Sequence, residues 1–115
     1  MLTVSFARVK PGMEARLRAW LAELSSRQEE ARRSLQQEGT RQEQYYVLPT
    51  ADGPVLIYAM EANDVKQAYA SYGHSTLEID DEHRAVLAEV LAEPLQIEPS
   101  YDCSIDPSRL TLHRP

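Results

Sequence analysis

Residues Val55 to Met60 read Val-Leu-Ile-Tyr-Ala-Met and are closed by Glu61. Successive side chains of a strand point to opposite faces, so a strand wetted on one side alternates apolar and polar. This run is apolar on both faces and predicts a strand covered from both sides. A chain of 115 residues has helix enough for one face of a sheet. The simplest cover for the other is a second copy of the same chain.

The rest of the pattern places elements around that strand. Leu2 to Val9 alternates, with Leu2, Val4, Phe6 and Arg8 on one face and Thr3, Ser5, Ala7 and Val9 on the other. Lys10-Pro11-Gly12 ends it. From Met13 an amphipathic pattern predicts one long helix, because Met13, Leu17, Trp20, Leu21, Leu24, Ala31 and Leu35 fall on one stripe. Pairs such as Glu14/Arg18 and Glu23/Arg27 support its outer face, and Gly39 supplies the stop. Thr40 to Leu48 reads as a second strand, and Pro49 to Pro54 as the hairpin loop before Val55. Asn63 or Asp64 can cap a short helix burying Val65, Ala68, Tyr69 and Tyr72. Ser75 to Glu78 has capping-box spacing. A further helix over about residues 81–92 buries Val86, Leu87, Val90 and Leu91 before Pro94 breaks it. Leu95 to Asp102 alternates as a half-exposed strand whose proline suits an edge. The expected division is a domain over 1–103 and a tail over 104–115.

Strand, helix, strand, strand, helix in two pieces, strand is the order of the ferredoxin-like α+β fold, a four-stranded antiparallel sheet with helices on one face. Its central strands are the first and the third, and the third is the doubly apolar one. Topology and burial thus converge on a homodimer packed sheet face to sheet face.

Composition narrows the partners. A net charge of −6 argues against nucleic acid, whose phosphates need a clustered basic surface. No apolar stretch reaches the length of a membrane span, so no membrane is expected. The single cysteine, Cys103, excludes an internal disulfide and fits a reducing, cytoplasmic setting. It follows Asp102, which disfavours the thiolate. No glycine-rich phosphate loop or nucleophile motif is present, and no cofactor is expected.

The layout resembles the dimeric α+β barrel superfamily, which includes antibiotic-biosynthesis-type monooxygenases, haem-degrading proteins, rhamnose mutarotase and NIPSNAP-like domains. The resemblance covers Leu2 to about Asp102. It is carried by Phe6-Ala7-Arg8-Val9-Lys10-Pro11-Gly12 opening the helix and by the strand Leu56-Ile57-Tyr58-Ala59-Met60-Glu61. Glu38-Gly39, Glu43, and Ser75 with Ile79-Asp80-Asp81-Glu82-His83 look more closely like a bacterial domain-of-unknown-function family within that group. The activities do not transfer. Where the mutarotase pattern has a histidine in the first helix, this chain has Leu21 and Ala22. The Asn/Trp/His set of the haem-degrading and monooxygenase members has no counterpart, since the first strand lacks asparagine and Trp20 lies on a packing stripe.

Candidate chemistry centres on His83, four residues after Ile79 and three before Val86, which places an imidazole on the apolar stripe of its helix. It reads either as a core histidine satisfied by a carbonyl or acid, or as a proton-transfer group at the edge of a cavity. Glu43 shares a strand face with Tyr45 and Val47. It is either a rim acid that discourages edge pairing or, if buried, a general base with a raised pKa. Tyr58 and Tyr45 are candidate ligand-binding phenols, and the small Ser5, between Thr3 and Ala7, can leave a hollow beneath the helices or let two sheets approach. His74, Asp80 and His83 can be drawn as a metal set, but their spacing matches no known motif, and none is expected. Two functions remain. One is a small-molecule pocket built from His83, Glu43, Tyr58, Tyr45 and Ser5, binding a ligand or working as a cofactor-independent acid–base enzyme. The other is a non-catalytic dimeric module that engages another protein through its surface or tail.

Overall fold

The computed structural model describes residues 1–106. Eight elements follow in order: β1 (Leu2–Val9), α1 (Glu14–Ser26), α2 (Gln28–Glu38), β2 (Thr40–Leu48), β3 (Val55–Ala62), α3 (Val65–Gly73), α4 (Glu78–Val90) and β4 (Leu91–Leu95). The strands form one antiparallel sheet in the order β2-β3-β1-β4, with the first and third strands central. This is the architecture of the ferredoxin-like α+β fold.

Three boundaries differ from the sequence reading. The long first helix is two helices meeting at Arg27, whose N–H reaches Leu24 O instead of continuing the ladder. Ser25 and Ser26 precede the break, and their hydroxyls donate to Leu21 O and Glu23 O, competing for the carbonyls of that turn. Arg27 then ties both pieces to α4, with bonds of 2.8 Å to Glu30 and 2.7 Å to Glu82.

The fourth strand is Leu91–Leu95, not Leu95 to Asp102, and the last helix begins at Glu78 and ends at Val90. The unpaired edge of β1 captures the chain as the helix ends. Lys10 N–H donates to Val90 O, and Val9, Ala7 and Phe6 sit opposite Leu91, Pro94 and Leu95. Pro94 restricts Glu93 to extended geometry and lies within the edge strand rather than beyond its helix. Residues 96–104 carry no strand. The expected tail lies mostly outside the described residues; Ile105, at its start, is fully exposed.

Gly39 ends α2 with φ 76, a left-handed conformation that favours glycine over any residue with a Cβ. Asp64 caps α3, its carboxylate accepting from Gln67 N–H at 3.0 Å. Ser75 accepts from Leu77 N–H at 3.2 Å in a turn before α4, so the expected capping box does not form; Leu77 precedes the helix and offers no side-chain cap.

All helices that pack on the sheet lie on the face carrying Val9, Ala7 and Ser5 of β1, Leu56, Tyr58 and Met60 of β3, and Glu43, Tyr45 and Val47 of β2. Their core has two clusters. Val9, Leu17, Trp20, Leu56, Val86 and Val90 form the larger, with Leu17 and Val90 wholly buried. Met60, Ala62 and Ala68 form the smaller. The opposite face is open in the single chain. Val4 is 42% exposed and Tyr46 51%, and Ile57 and Ala59 of the apolar strand are half-buried rather than covered.

Candidate functional site

Between the two core clusters lies a cavity of about 310 Å³, bordered by Leu56 on one side and by Met60 and Ala68 on the other. Ser5, Glu43, Tyr45, Tyr58 and His83 all line it. They share it with five further polar residues, Ser34, Glu38, Tyr69, Tyr72 and Asp80, of which the sequence marked only Asp80, and that as part of a metal set.

Strand register explains the first group. Ser5, Tyr58 and Tyr45 lie side by side across β1, β3 and β2, and Glu43 is two residues from Tyr45 on the same face. The Tyr45 and Tyr58 rings pack 4.6 Å apart. Tyr58 donates its hydroxyl to Glu43 Oε1 at 2.9 Å, and Ser5 Oγ lies 3.3 Å from Tyr69 Oη. Burial pushes the Glu43 carboxyl above its ordinary range, against the lowering effect of the Tyr58 bond, and Asp80 adds to the rise. Burial likewise raises the Tyr45 and Tyr58 phenols, and Glu43 raises both further.

His83 comes down from α4 and is 8% exposed. Both ring nitrogens are engaged by side chains. Trp20 Nε1–H donates to Nδ1 at 2.8 Å, and Nε2 lies 2.7 Å from Tyr45 Oη. An indole nitrogen only donates, so Nδ1 must be the acceptor and a neutral ring carries its hydrogen on Nε2. Nε2–H then donates to Tyr45 Oη. That leaves the Tyr45 hydroxyl hydrogen with no acceptor among the described residues, on a ring that lines the cavity. Protonating His83 would set two N–H groups against each other at Trp20. Its pKa is pushed down to about 4, first by burial and then by Arg84, against the opposing pull of Asp80. The histidine is therefore a neutral link that fixes the direction of Tyr45. Of its two sequence readings, the satisfied core histidine describes its surroundings and the cavity edge describes its place; its partners are side chains, not carbonyls.

A second polar chain borders the same space. Ser75 Oγ donates to Asp80 Oδ2 at 2.5 Å and accepts from Gln37 Nε2 at 3.0 Å. Ser34 Oγ lies 2.7 Å from Asp80 Oδ1 and 3.1 Å from Glu38 Oε2. A hydroxyl has a single hydrogen, so full bonds to both acids require a proton on one of them. Burial raises Glu38 above the usual carboxylate range, against the lowering effect of its bonds from Thr40 and Ser34. The Tyr72 hydroxyl is buried without a partner among the described residues, and its ring packs 6.1 Å from His83.

The sequence carried partial signals for this second group. Asp80 stands three residues before His83, on the same helix face. Trp20, placed on a packing stripe, has an N–H that a buried site must satisfy. Nothing local marked Ser34 or Glu38, which the fold alone brings to Asp80. Among the described residues no three His, Cys, Asp or Glu side chains come together to hold a metal, and His74 is exposed outside this cavity. No helix among them is long and apolar enough to cross a membrane.

The fold matches solved structures at low identity. Rv0793 from Mycobacterium tuberculosis aligns with a TM-score of 0.51 and 19% identity, covering 90% of this chain and 97% of that one. A candidate antibiotic biosynthesis monooxygenase from Nitrosomonas europaea aligns with a TM-score of 0.46 and 18% identity, over 87% and 89% of the two chains. No curated protein matches. Residues 2–111 match the model of the family of unknown function DUF6176, and it is to this family that the chain belongs.

Proposed function

We propose that the protein binds a small molecule in the cavity beneath its helices and acts on it by acid–base chemistry without a cofactor. The observation that carries this reading is the pairing of a directed donor with a buried acceptor. Tyr45, oriented through Trp20 and His83, presents its hydroxyl hydrogen, while Glu43 presents a carboxyl whose Oε1 alone receives the Tyr58 bond. Around them the lining is mostly apolar, as in small-molecule sites where a few placed polar groups fix orientation. Glu43 is the proton-accepting group of this reading, Tyr45 and Tyr58 are its binding phenols, and His83 is a positioning residue that acts through Tyr45.

The working unit is a homodimer. Leu2, Val4, Tyr46 and Leu48 are exposed together on the open sheet face, the kind of apolar surface that a partner covers. An exposed free cysteine at 103 supports a reducing, cytoplasmic setting.

Trp20, the chain's single tryptophan, reports on the site through its bond to His83. A hydrophobic ligand that fills the cavity shifts Trp20 emission saturably, and Ala31→Phe, which fills part of the space without adding a tryptophan, abolishes the response while the far-ultraviolet spectrum is retained. A response unchanged in that variant counts against the pocket.

A second reading, a module for protein contacts, is favoured by one feature. Ile97, Tyr101 and Ile105 are exposed along the segment after β4, beside a groove of about 1050 Å³ that it forms with residues 1–4.

A further inference from the structure

The hydrogen-bond inventory of the cavity restricts what can enter it. Glu38, Glu43 and Asp80 line it, and no lysine or arginine does. Arg84, the nearby cation, is held by Asp81 and by the carbonyls of Tyr72 and Ser75, with its guanidinium 5.2 Å over the Tyr72 ring. A carboxylate or phosphate ligand would meet acids without a counter-charge in a poorly solvated space. The lining is otherwise Leu24, Ala31, Met60, Ile79, Leu87 and similar side chains, which suits an apolar body.

The polar groups then specify the head of that body. The Tyr45 and Tyr72 hydroxyls each have a hydrogen with no acceptor among the described residues, and both rings pack against the same imidazole, at 5.5 and 6.1 Å. They call for an acceptor oxygen. Glu43 calls for something that gives up a proton. Two residues apart on one strand face, Glu43 and Tyr45 are separated by about 7 Å at the backbone. Both line the cavity, so one ligand in it can meet base and donor together.

Resting on the acid–base reading above, we infer that the substrate is an uncharged, mostly apolar carbonyl compound, enolised by Glu43 while Tyr45 holds the oxygen. The Glu43 carboxylate takes a proton from the carbon next to the carbonyl. The C–H electron pair becomes the carbon–carbon double bond of the enolate, and the carbonyl π pair moves onto oxygen, where the Tyr45 hydroxyl stabilises it. Returning the proton from Glu43 to the same or a conjugated carbon completes an exchange or an isomerisation, with no oxidant or second substrate. A developing oxyanion gains more from a preorganised donor than the ground-state carbonyl does, which is how Tyr45 lowers the barrier.

The test uses the full chain and three probes of one size: β-tetralone, an enolisable ketone; β-naphthol, a neutral enol mimic; and β-naphthoate, the anion. Binding is read from Trp20 emission, and enolisation from deuterium uptake at the α-carbon of β-tetralone by NMR. β-Naphthol is expected to bind and β-naphthoate to fail. Glu43→Gln keeps an acceptor for Tyr58; it is expected to slow uptake at least ~100-fold while β-naphthol affinity changes only a few-fold. Glu43→Asp restores part of the rate. Tyr45→Phe is expected to slow uptake roughly 100-fold and to weaken β-naphthol binding about 10-fold. Uptake that survives Glu43→Gln, or β-naphthoate binding as tightly as β-naphthol, overturns the inference. If β-naphthol binds and uptake never exceeds that in buffer, enolisation is wrong and the pocket stands. If none of the three binds, both fall.

Discussion

On the helix-covered face of the sheet, Ser5, Tyr58 and Tyr45 stand level across three strands with Glu43 beside them; one residue along, on the other face, Phe6, Ile57 and Tyr46 stand level in the same way. The covered level holds hydroxyls and a carboxyl. The open level is mainly hydrocarbon. This reverses the usual sorting, in which apolar groups go inside and polar groups outside. Each half of the reversal costs stability in an isolated chain, through desolvated polar groups on one side and wetted apolar surface on the other. A buried polar group is kept when it has work to do, and an exposed apolar face when something covers it. On the reading proposed above, the two faces carry different functions, ligand chemistry inside and assembly outside.

The largest expected effect lies on the open face. Val4→Asp puts a charge on a central strand, where a sheet-to-sheet dimer would bring two copies of it close together. Like charges so placed cost several kcal/mol, so association measured by sedimentation equilibrium should weaken at least ~100-fold with circular dichroism unchanged. A wild-type chain that sediments as a monomer at every concentration would remove the assembly half of the comparison.

Next comes the pH response of the covered face. His83 is held neutral, with its pKa near 4 in the fold against 6.5 for the free side chain. The unfolded chain takes up this proton more readily, so stability is full above pH 6.5 and falls as the pH drops toward 4. The loss amounts to about 3 kcal/mol. Glu38 and Glu43 act with the opposite sign. Their raised pKa values mean that the fold binds protons more tightly than the unfolded chain, so acid stabilises it through them. Comparing wild type with His83→Gln in urea titrations across that window isolates the histidine, and the variant should lose much less stability. Parallel pH profiles would show that His83 is not held neutral.

The smallest effects come from matched tyrosines. Tyr58→Phe leaves Glu43 without its hydroxyl donor and should cost ~1–3 kcal/mol, whereas Tyr46→Phe removes only a solvent-exposed bond to Gln44 and should cost under ~0.5 kcal/mol. Equal costs in thermal denaturation would mean that the two faces do not differ as described.

The places where sequence and structure part company share a cause. The helix stripe lapses after Leu24, since neither Arg27 nor Gln28 is apolar, and two serines fill the turn. The break at Arg27 was therefore visible as a gap. Leu91 was not placed in a strand because it fits the stripe of α4 equally well; only the vacant edge of β1 decides in favour of extended geometry. The cavity divides along the same line. Glu43 and Tyr45 could be grouped because period-two alternation puts them on one face of their strand, whereas their sharing that face with Ser5 and Tyr58 was decided by strand register. Trp20 was read as a packing residue and Asp80 as part of a metal set, because what gives them a role is a partner 63 residues away in one case and 46 in the other.

The order of elements, the pair of central strands and the face each strand residue occupies follow from local periodicity, which is a property of neighbours in the chain. The neutral tautomer of His83, the direction of the Tyr45 hydroxyl and the meeting of Glu38 and Asp80 at the Ser34 hydroxyl do not. They depend on hydrogen bonds between residues distant in sequence, and a hydrogen bond's direction is set only when donor and acceptor are brought within about 3 Å of each other.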